Sequence, residues 1–406
     1  MSNDISTLVG DNNIPKPKVK PKDWFPVIAI AIAAFVFNTT EFAPIGLLSD
    51  IAKDLEITEG KAGMLITVYA WVVAIASLPL TLICGRVERR KLLVILFILF
   101  IASHVLSFLS TGYAVLMVSR LGVACAHSVF WAIAPPLAVR VAPEGHKSTA
   151  LSILATGTSI AMVLGLPLGR TIGLYLGWRF TFLCIAIVAF IIMIVLVRLL
   201  PIIPSNNSGS VRSLPSLVRR PALLWLYALT VVIVTAHFTG YSYIEPFMKD
   251  VAELSANMST IVLLIFGAAG IGGSILFSRY NNKYSYRLMM ISMTSVFLSL
   301  LVLYISSVHL YTLIVLCIVW GISFMILGLV FQDRVIKLAP DATAVAMSMY
   351  SGIFNIGIGS GALVGGIVST HMGIAYIGFV GGAIAIVALA IGFFGMRGHF
   401  STKESL

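Results

Sequence analysis

The stretch that decides the fold is 25–48, FPVIAIAIAAFVFNTTEFAPIGLL, which is apolar throughout except for a short polar patch around its only charged residue, Glu41. An α-helix crosses the roughly 30 Å hydrocarbon core of a bilayer with about 20 apolar residues, so this stretch is long enough to span a membrane. A carboxylate in hydrocarbon is costly, and residues of this kind usually bind or carry something. Glu41 therefore indicates transport.

Similar segments recur along the whole chain. Apolar residues make up 59% and charged residues 11% of the sequence, and the mean hydropathy of +1.02 excludes a soluble domain. We predict an all-α integral membrane protein with twelve transmembrane helices. The predicted spans are 25–49, 63–84, 91–110, 113–139, 148–174, 180–201, 222–249, 257–279, 287–306, 310–337, 343–369 and 373–396.

The basic residues mark one side of the membrane. The net charge of +11 is not gathered into one face or tail, so it does not indicate a nucleic-acid partner. With the N-terminus inside, 21 Lys and Arg residues fall on the cytoplasmic side, four fall outside, and Arg120 and Arg170 lie within spans. This asymmetry predicts that both termini are cytoplasmic.

The chain is predicted to consist of two similar halves. The sequence Asp50–Leu55 after the first span resembles Asp250–Leu254 after the seventh, and a Ser/Pro-rich stretch separates six spans from six. Residues 1–22 lack the apolar core of a signal peptide. The predicted parts are a cytoplasmic tail at 1–22, a six-helix bundle at 23–201, a cytoplasmic linker at 202–221, a second six-helix bundle at 222–396 and a tail at 397–406.

Each half also carries a ladder of glycines at every fourth position. The ladders are Gly165, Gly169, Gly173 and Gly177 in the first half and Gly357, Gly361 and Gly365 in the second. Glycine at this spacing gives a helix a flat face on which another helix packs closely. One interpretation is static packing, and the other is a sliding or gating surface between the two bundles. Pro167 within the first ladder is expected to bend its helix.

These features resemble the major facilitator superfamily and, within it, the twelve-helix drug:proton antiporters. The stretch GTSIAMVLGLPLGRTIG at 157–173 is similar to that family's antiporter motif on helix five, and Arg120 occupies the position of its helix-four arginine. The resemblance narrows to bacterial sugar efflux transporters of the SotB type. The segments that carry this narrower resemblance are FNTTEFAPIGLLSDIA at 37–52, VERRKLL at 87–93, FIASHVLSFLS at 100–110, TAHFTGYSYIEPF at 235–247 and SGIFNIGIGSGALVGG at 351–366.

This resemblance implies a monomeric exporter of sugars or sugar-like molecules in a bacterial inner membrane. One departure concerns the loop between helices two and three, where the superfamily carries a glycine, an aspartate and a Gly-Arg-Arg ending. The corresponding positions here are Thr81, Gly85 and Glu88-Arg89-Arg90. Arg89 and Arg90 remain available to meet helix ends or lipid phosphates at the inner gate.

Glu41 and Arg120 are the candidate residues for proton coupling. At 1.5 Å per residue, Glu41 lies about 12 Å and Arg120 about 10 Å below the outer ends of their spans. The superfamily fold lines its cavity with both helices, so we expect the two side chains to pair directly or through water. The functional interpretation is that Glu41 alternately takes up and releases a proton; the alternative is a buried ion pair that only fixes packing.

The candidate substrate residues lie near the middle of the membrane, where transporters place their substrate sites. Asn and His side chains supply the donors and acceptors that sugar hydroxyls need, and aromatic rings supply faces for the sugar ring. For each Asn or His the alternative is a hydrogen bond between helices. The candidates are Asn38, His127, His237 and Asn355, with aromatic faces from Trp71, Trp131, Tyr241 and Tyr243.

Two further charged residues are secondary candidates. Glu245 lies nearer the outer end of span seven than the middle, so it is either a second proton carrier or a contact at the outer gate. Arg170 lies in the first glycine ladder, where it binds substrate, pairs with a carboxylate or extends its charge toward the interface.

Other functional classes find no support in the sequence. The sequence lacks His-Glu-x-x-His, Gly-x-Ser-x-Gly and nucleotide-binding motifs, which disfavours an enzyme and an ATP-driven pump. The two halves also lack the rings of like charge that many channels carry. The four cysteines have no paired spacing, so we expect no metal and no cofactor. The remaining alternative is a proton-coupled exporter of lipophilic drugs.

Overall fold

The computed structural model describes residues 20–144, 146–204 and 214–396, so nearly all of the predicted N-terminal tail, residues 205–213 of the predicted linker and the whole predicted C-terminal tail lie outside the described residues. Its α-helices fall into two series. The first comprises α1 Phe25–Gly46, α2 Leu48–Asp54, α3 Glu59–Ile83, α4 Arg89–Phe108, α5 Tyr113–Val141, α6 Lys147–Leu176, α7 Trp178–Leu199 and the short α8 Leu214–Leu217. The second comprises α9 Pro221–Tyr241, α10 Ile244–Asp250, α11 Ala256–Leu301, α12 Leu303–Ser306, α13 Leu310–Leu338, α14 Thr343–His371 and α15 Ile377–Ala390.

The all-α membrane fold predicted from the sequence is confirmed. Within the described residues, eleven helices are long and apolar enough to cross a membrane, and no strand occurs there. The predicted spans 257–279 and 287–306 fall on the two arms of α11, which are two helices separated by a kink. The two arms meet at Tyr284, whose φ of −132° and ψ of 36° are not helical.

The helices pack as two groups. In the first group α1 packs on α6, and α4 packs on α5 and α7; in the second, α9 packs on α14 and α15, and α11 on α13. Across the groups, α3 packs on α14, α6 on α11 and α2 on α10. We call the end that carries α2 and α10 the α2–α10 end, and the opposite end, where residues 200–204 and 214–220 lie, the linker end.

The backbone repeats itself between the two groups. Glu56 follows α2 with a φ of 51°, and Glu253 follows α10 with a φ of 49°, both in the left-handed region that non-glycine residues seldom adopt. Glycine fills the next such pair of positions: Gly177 after α6 has a φ of 93° and Gly373 after α14 a φ of 101°. These matched positions agree with the internal repeat seen in the sequence.

The glycine ladders lie inside the two groups and not between them. A Cβ on Gly165 would lie 3.1 Å from Thr39 Cα of α1, and one on Gly169 would lie 3.3 Å from Ala43 Cβ. A Cβ on Gly361 would lie 2.6 Å from the carbonyl of Thr235 on α9. The interpretation of these stripes as gating surfaces between bundles is therefore wrong, because each ladder joins two helices of one group. The bend expected at Pro167 stays a prediction.

Different glycines line the contact between the groups. A Cβ on Gly365 would lie 2.7 Å from the Tyr243 ring within the second group, whereas one on Gly63 of α3 would lie 1.7 Å from the Tyr243 hydroxyl across the groups. Gly359 of α14 similarly faces Trp71 of α3, where its Cβ would lie 2.4 Å from the indole ring. The sequence showed small residues on these helices but not which helix each one faces.

Candidate transport site

Glu41 lies beside His127 in the first group of helices. The distance from Glu41 Oε2 on α1 to His127 Nε2 on α5 is 3.8 Å, and the two side chains are 12% and 3% exposed. Asn38 is buried three residues before Glu41 on α1. The arrangement therefore brings three of the predicted site residues to one region of the fold.

Arg120 is fully buried nearby, and of the two pairings expected with Glu41, direct or through water, it does not form the direct ion pair. Its Nη1 donates instead to the carbonyl oxygen of Thr40 at 3.1 Å and to the Thr40 hydroxyl at 3.3 Å. Its guanidinium lies 4.2 Å from the centre of the Tyr69 ring, close enough for a cation–π interaction. Nε and Nη2 make no hydrogen bond within the described part of the chain.

Tyr69 contacts Arg120 and His104 contacts Thr40, and neither residue was predicted from the sequence as part of the site. Tyr69 on α3 covers Arg120 and contacts the His127 ring edge-on at 5.8 Å between ring centres. His104 on α4 hydrogen-bonds the Thr40 hydroxyl at 2.7 Å. His104 was visible as a polar residue in the apolar segment 91–110, but Tyr69 gives no such signal.

Aromatic rings surround the Glu41–His127 pair. Phe37 stacks on Phe130 at 4.1 Å with an interplanar angle of 7°, and the His127 ring lies 6.2 Å from both Phe37 and Trp131. Trp131 is half-buried, whereas Phe37 and Phe130 are fully buried. Trp131 is therefore the ring in this set with surface left for another molecule.

His237 lies in a separate aromatic cluster in the second group. Its Nδ1 accepts a hydrogen bond from Trp320 Nε1 at 3.0 Å, so a neutral ring carries its proton on Nε2. The ring stacks on Phe324 with centres 3.4 Å apart and on Tyr241 with centres 5.0 Å apart. For His237 the structure thus shows the hydrogen bond between helices that was the alternative to sugar binding, and only Nε2 remains for a ligand.

Asn355 on α14 has a free acceptor. Its Nδ2 donates to the carbonyl of Ser351 in the same helix at 3.0 Å, whereas its Oδ1 is buried without a partner in the described residues. The Asn355 side chain is 6% exposed, so this oxygen is not satisfied by open solvent. An unsatisfied buried acceptor of this kind is suited to a hydroxyl donor.

Arg170 and Glu245 form an ion pair that joins the two groups. Arg170 Nη1 on α6 lies 2.8 Å from Glu245 Oε1 on α10, and the side chains are 3% and 1% exposed. Glu245 Oε2 accepts from the backbone N–H of Ser49 at 3.2 Å, and Arg170 also donates to the carbonyl of Gly46 at 2.7 Å. Of the alternatives for Arg170, pairing with a carboxylate is the one observed.

The hydrogen bonds that Arg89 and Arg90 make at the linker end stay within the first group. Arg89 N–H donates to the carbonyl of Ile203 at 3.0 Å, and Arg90 Nη2 donates to the carbonyl of Val197 near the end of α7. Burial disfavours the charged form of Glu88, but hydrogen bonds from the backbone N–H groups of Arg90, Ile203 and Lys91 outweigh it and lower the Glu88 pKa. Arg90 therefore meets a helix end, and this loop is fastened to its own bundle.

Comparison with known proteins identifies the family. The sequence matches the Major Facilitator Superfamily over residues 30–345, which is most of the chain. The chain belongs to this superfamily. A member of this superfamily is a membrane transporter and not an enzyme, and it works as a secondary transporter by alternating access.

The fold is also similar to that of a solved transporter. A bacterial homolog of the human lysosomal transporter Spinster, solved in an inward-facing and unoccupied conformation, matches with a TM-score of 0.77 at 15% sequence identity. The match covers 93% of this chain and 98% of that chain. At this identity the similarity establishes the superfamily fold and says nothing about the substrate.

Proposed function

We propose that the chain exports sugars or sugar-like small molecules from the cytoplasm in exchange for protons. The observation that carries this proposal is the Glu41–His127 contact at 3.8 Å, in a buried region that also contains Arg120 and a half-buried Trp131. A carboxylate placed within a membrane span is a candidate proton carrier. Hydrogen-bonding side chains beside an aromatic ring suit a sugar.

In the proposed cycle, Glu41 carries the proton. Burial disfavours its charge, while the nearby Arg120 guanidinium favours it, so small changes in the surroundings change which form is stable. Sugar entering from the cytoplasm displaces the proton, and a proton from outside displaces the sugar. Since the sequence holds no nucleotide-binding motif, the proton gradient is the proposed source of energy.

The proposed sugar site uses residues of both groups. His127, Asn38 and Trp131 supply contacts from the first group, and Asn355 supplies its free Oδ1 from the second. Tyr241 and the Nε2 of His237 are the remaining candidates, although their rings already pack against each other. A site shared between two bundles is the arrangement that rocking of the bundles opens to each side in turn.

The proposed orientation places the α2–α10 end outside the cytoplasm. The excess of basic residues at the opposite end supports cytoplasmic termini, and the resemblance to bacterial sugar efflux transporters supports a bacterial inner membrane. The Arg170–Glu245 pair then closes the outer side, and both residues serve as gate contacts instead of substrate ligands. Among the described residues, the hydrogen bonds of Arg89 and Arg90 stay within their own bundle, so these bonds do not tie the two bundles together on the inner side. We propose that the transporter acts as a monomer.

A vesicle assay tests this function directly. Purified protein in vesicles with an imposed pH gradient is given arabinose, a lactose-like glycoside or a panel of cationic lipophilic drugs. We expect pH-driven accumulation of one of the sugars and none of the drugs. Accumulation of drugs alone would replace sugar export with export of lipophilic compounds, and sugar transport that ignores the pH gradient would exclude proton exchange.

A further inference from the structure

Pro44 leaves a carbonyl group without its helical partner beside Glu41. Within α1, the carbonyl of Thr40 would normally accept a hydrogen bond from residue 44, but proline has no N–H to donate. An unpaired carbonyl in a membrane is costly, because no water is there to satisfy it. Arg120 Nη1 supplies the missing donor at 3.1 Å. The proline therefore creates the acceptor that fixes the arginine.

The hydroxyl of Thr40 connects the same arginine to His104. His104 Nδ1 lies 2.8 Å from the carbonyl of Phe100, and since a carbonyl only accepts, Nδ1 must carry the proton. The Nε2 of the neutral ring then accepts a hydrogen bond from the Thr40 hydroxyl at 2.7 Å. This turns the lone pairs of Thr40 Oγ1 toward Arg120 Nη1 at 3.3 Å. The direction of every hydrogen bond in this chain is fixed.

The surroundings keep this chain of bonds buried. Thr40, His104 and Arg120 are all 0% exposed, and the Tyr69 ring covers the guanidinium. The nearby titratable groups are Glu41, Tyr69 and His127, none of which hydrogen-bonds the Thr40 hydroxyl. A second positive charge on His104 would lie close to Arg120 and would remove the acceptor that the Thr40 hydroxyl needs.

We propose that Thr40 and His104 are positioning residues, which hold Arg120 beside Glu41 so that its Nε and Nη2 stay available to the carboxylate or to the substrate. The proposal rests on the proton coupling proposed for Glu41. The alternative is that these hydrogen bonds only stabilise the packing of α1, α4 and α5 against one another. The two differ in what happens when the Thr40 hydroxyl is removed without changing the shape of the side chain.

Transport by two variants at this position provides the first test. Thr40→Val removes the hydroxyl, and Thr40→Ser keeps it while removing a methyl group. Thr230→Val is the matched control, since Thr230 is also 0% exposed but its hydroxyl bonds only to Leu226 of its own helix at 2.8 Å. In vesicles, we expect Thr40→Val to lose about tenfold or more of its pH-driven arabinose accumulation while exchange without a gradient continues. Thr40→Ser and Thr230→Val should match the parent.

The tautomer of His104 provides the second test, which needs no transport. In the parent protein reconstituted with ¹⁵N-histidine, solid-state NMR should show His104 with a protonated Nδ1 and a bare Nε2 between about pH 5 and 8. His104→Gln identifies the signal by removing it. The ¹⁵N chemical shift of His104 Nε2 should change in Thr40→Val and should have the parent value in Thr40→Ser.

These results separate this proposal from the proposed function. Full pH-driven accumulation by Thr40→Val, or equal losses in Thr40→Val and Thr40→Ser, would overturn the positioning role. A protonated Nε2 on His104 in the parent would overturn it as well. If the parent itself showed no proton coupling, the function proposed for Glu41 would fail, and the NMR result would still decide whether the chain of bonds exists.

Discussion

Removing one charge from the Arg170–Glu245 pair should open the α2–α10 end. Glu245→Gln keeps the size of the side chain and an oxygen for the Ser49 N–H, but it leaves the buried Arg170 without its carboxylate. Removing one partner of a buried ion pair costs about 3–5 kcal/mol. Arg170 keeps the Gly46 carbonyl at 2.7 Å and has Asp50 at 3.9 Å, so we take the lower limit, about 3 kcal/mol.

This energy is lost only where the pair is formed, which is the arrangement closed at the α2–α10 end. At about 1.4 kcal/mol for each tenfold change, the equilibrium should shift toward the open arrangement by about 100-fold or more. Lys53 and Asn257 are both exposed at this end and lie on different groups. Spin labels on Lys53→Cys and Asn257→Cys would report the shift as a change in the distance between them, measured by pulsed electron paramagnetic resonance. The four native cysteines are first replaced by alanine.

The distances should show one short population in the parent and a longer one in Glu245→Gln. Asp54→Asn is the control, because it breaks an ion pair at the same end, with Arg179 at 2.6 Å, that lies within one group. The double variant Arg170→Gln/Glu245→Gln leaves no unpaired charge and should be closer to the parent than the single variant. Equal distance distributions in the parent and in Glu245→Gln would refute the reasoning.

Three further predictions concern the site and the packing. Glu41→Gln should still exchange sugar passively but lose pH-driven accumulation in vesicles; full retention would assign the proton to another residue. Asn355→Leu and His127→Leu each remove hydrogen-bonding atoms from a buried site, so sugar affinity measured by calorimetry should fall about tenfold or more, and unchanged affinity would place the site elsewhere. Gly361→Leu should lower the unfolding temperature, because its Cβ would lie 2.6 Å from a carbonyl of α9, whereas Gly272→Leu, with its nearest neighbour at 3.8 Å, should not.

The sequence predicted what depends on position along a helix and missed what depends on rotation about it. The cost of polar groups in hydrocarbon fixes where a chain can cross a membrane, so the helices follow from hydropathy, and the depths of Glu41 and Arg120 stay predictions from helical rise. Depth alone does not say which way a side chain faces. For that reason the hydrogen bonds of Arg120 to Thr40 and the Tyr69 ring over its guanidinium were not anticipated.

The glycine ladders illustrate the same limit. A stripe of glycine shows that a helix has one flat face, but the neighbour on that face is decided by how all the helices assemble. Gly361 faces α9 in its own group, whereas Gly359, two residues earlier, faces Trp71 of the other group. Opposite faces of one helix thus serve packing within a bundle and contact between bundles, and the spacing of the residues does not distinguish them.

One short segment of α1 links the buried site to the contact between the groups. Thr40 accepts from Arg120, Glu41 contacts His127, and the carbonyl of Gly46 accepts from Arg170. Pro44 lies between them and removes the helical bond that would stiffen this segment. Because Arg170 also binds Glu245, separating the groups at the α2–α10 end either breaks the Arg170–Glu245 pair or pulls on Gly46. In the second case the displacement reaches Thr40 and Glu41 within two turns of the same helix, so α1 would connect the proposed gate at Arg170–Glu245 to the proposed proton site at Glu41.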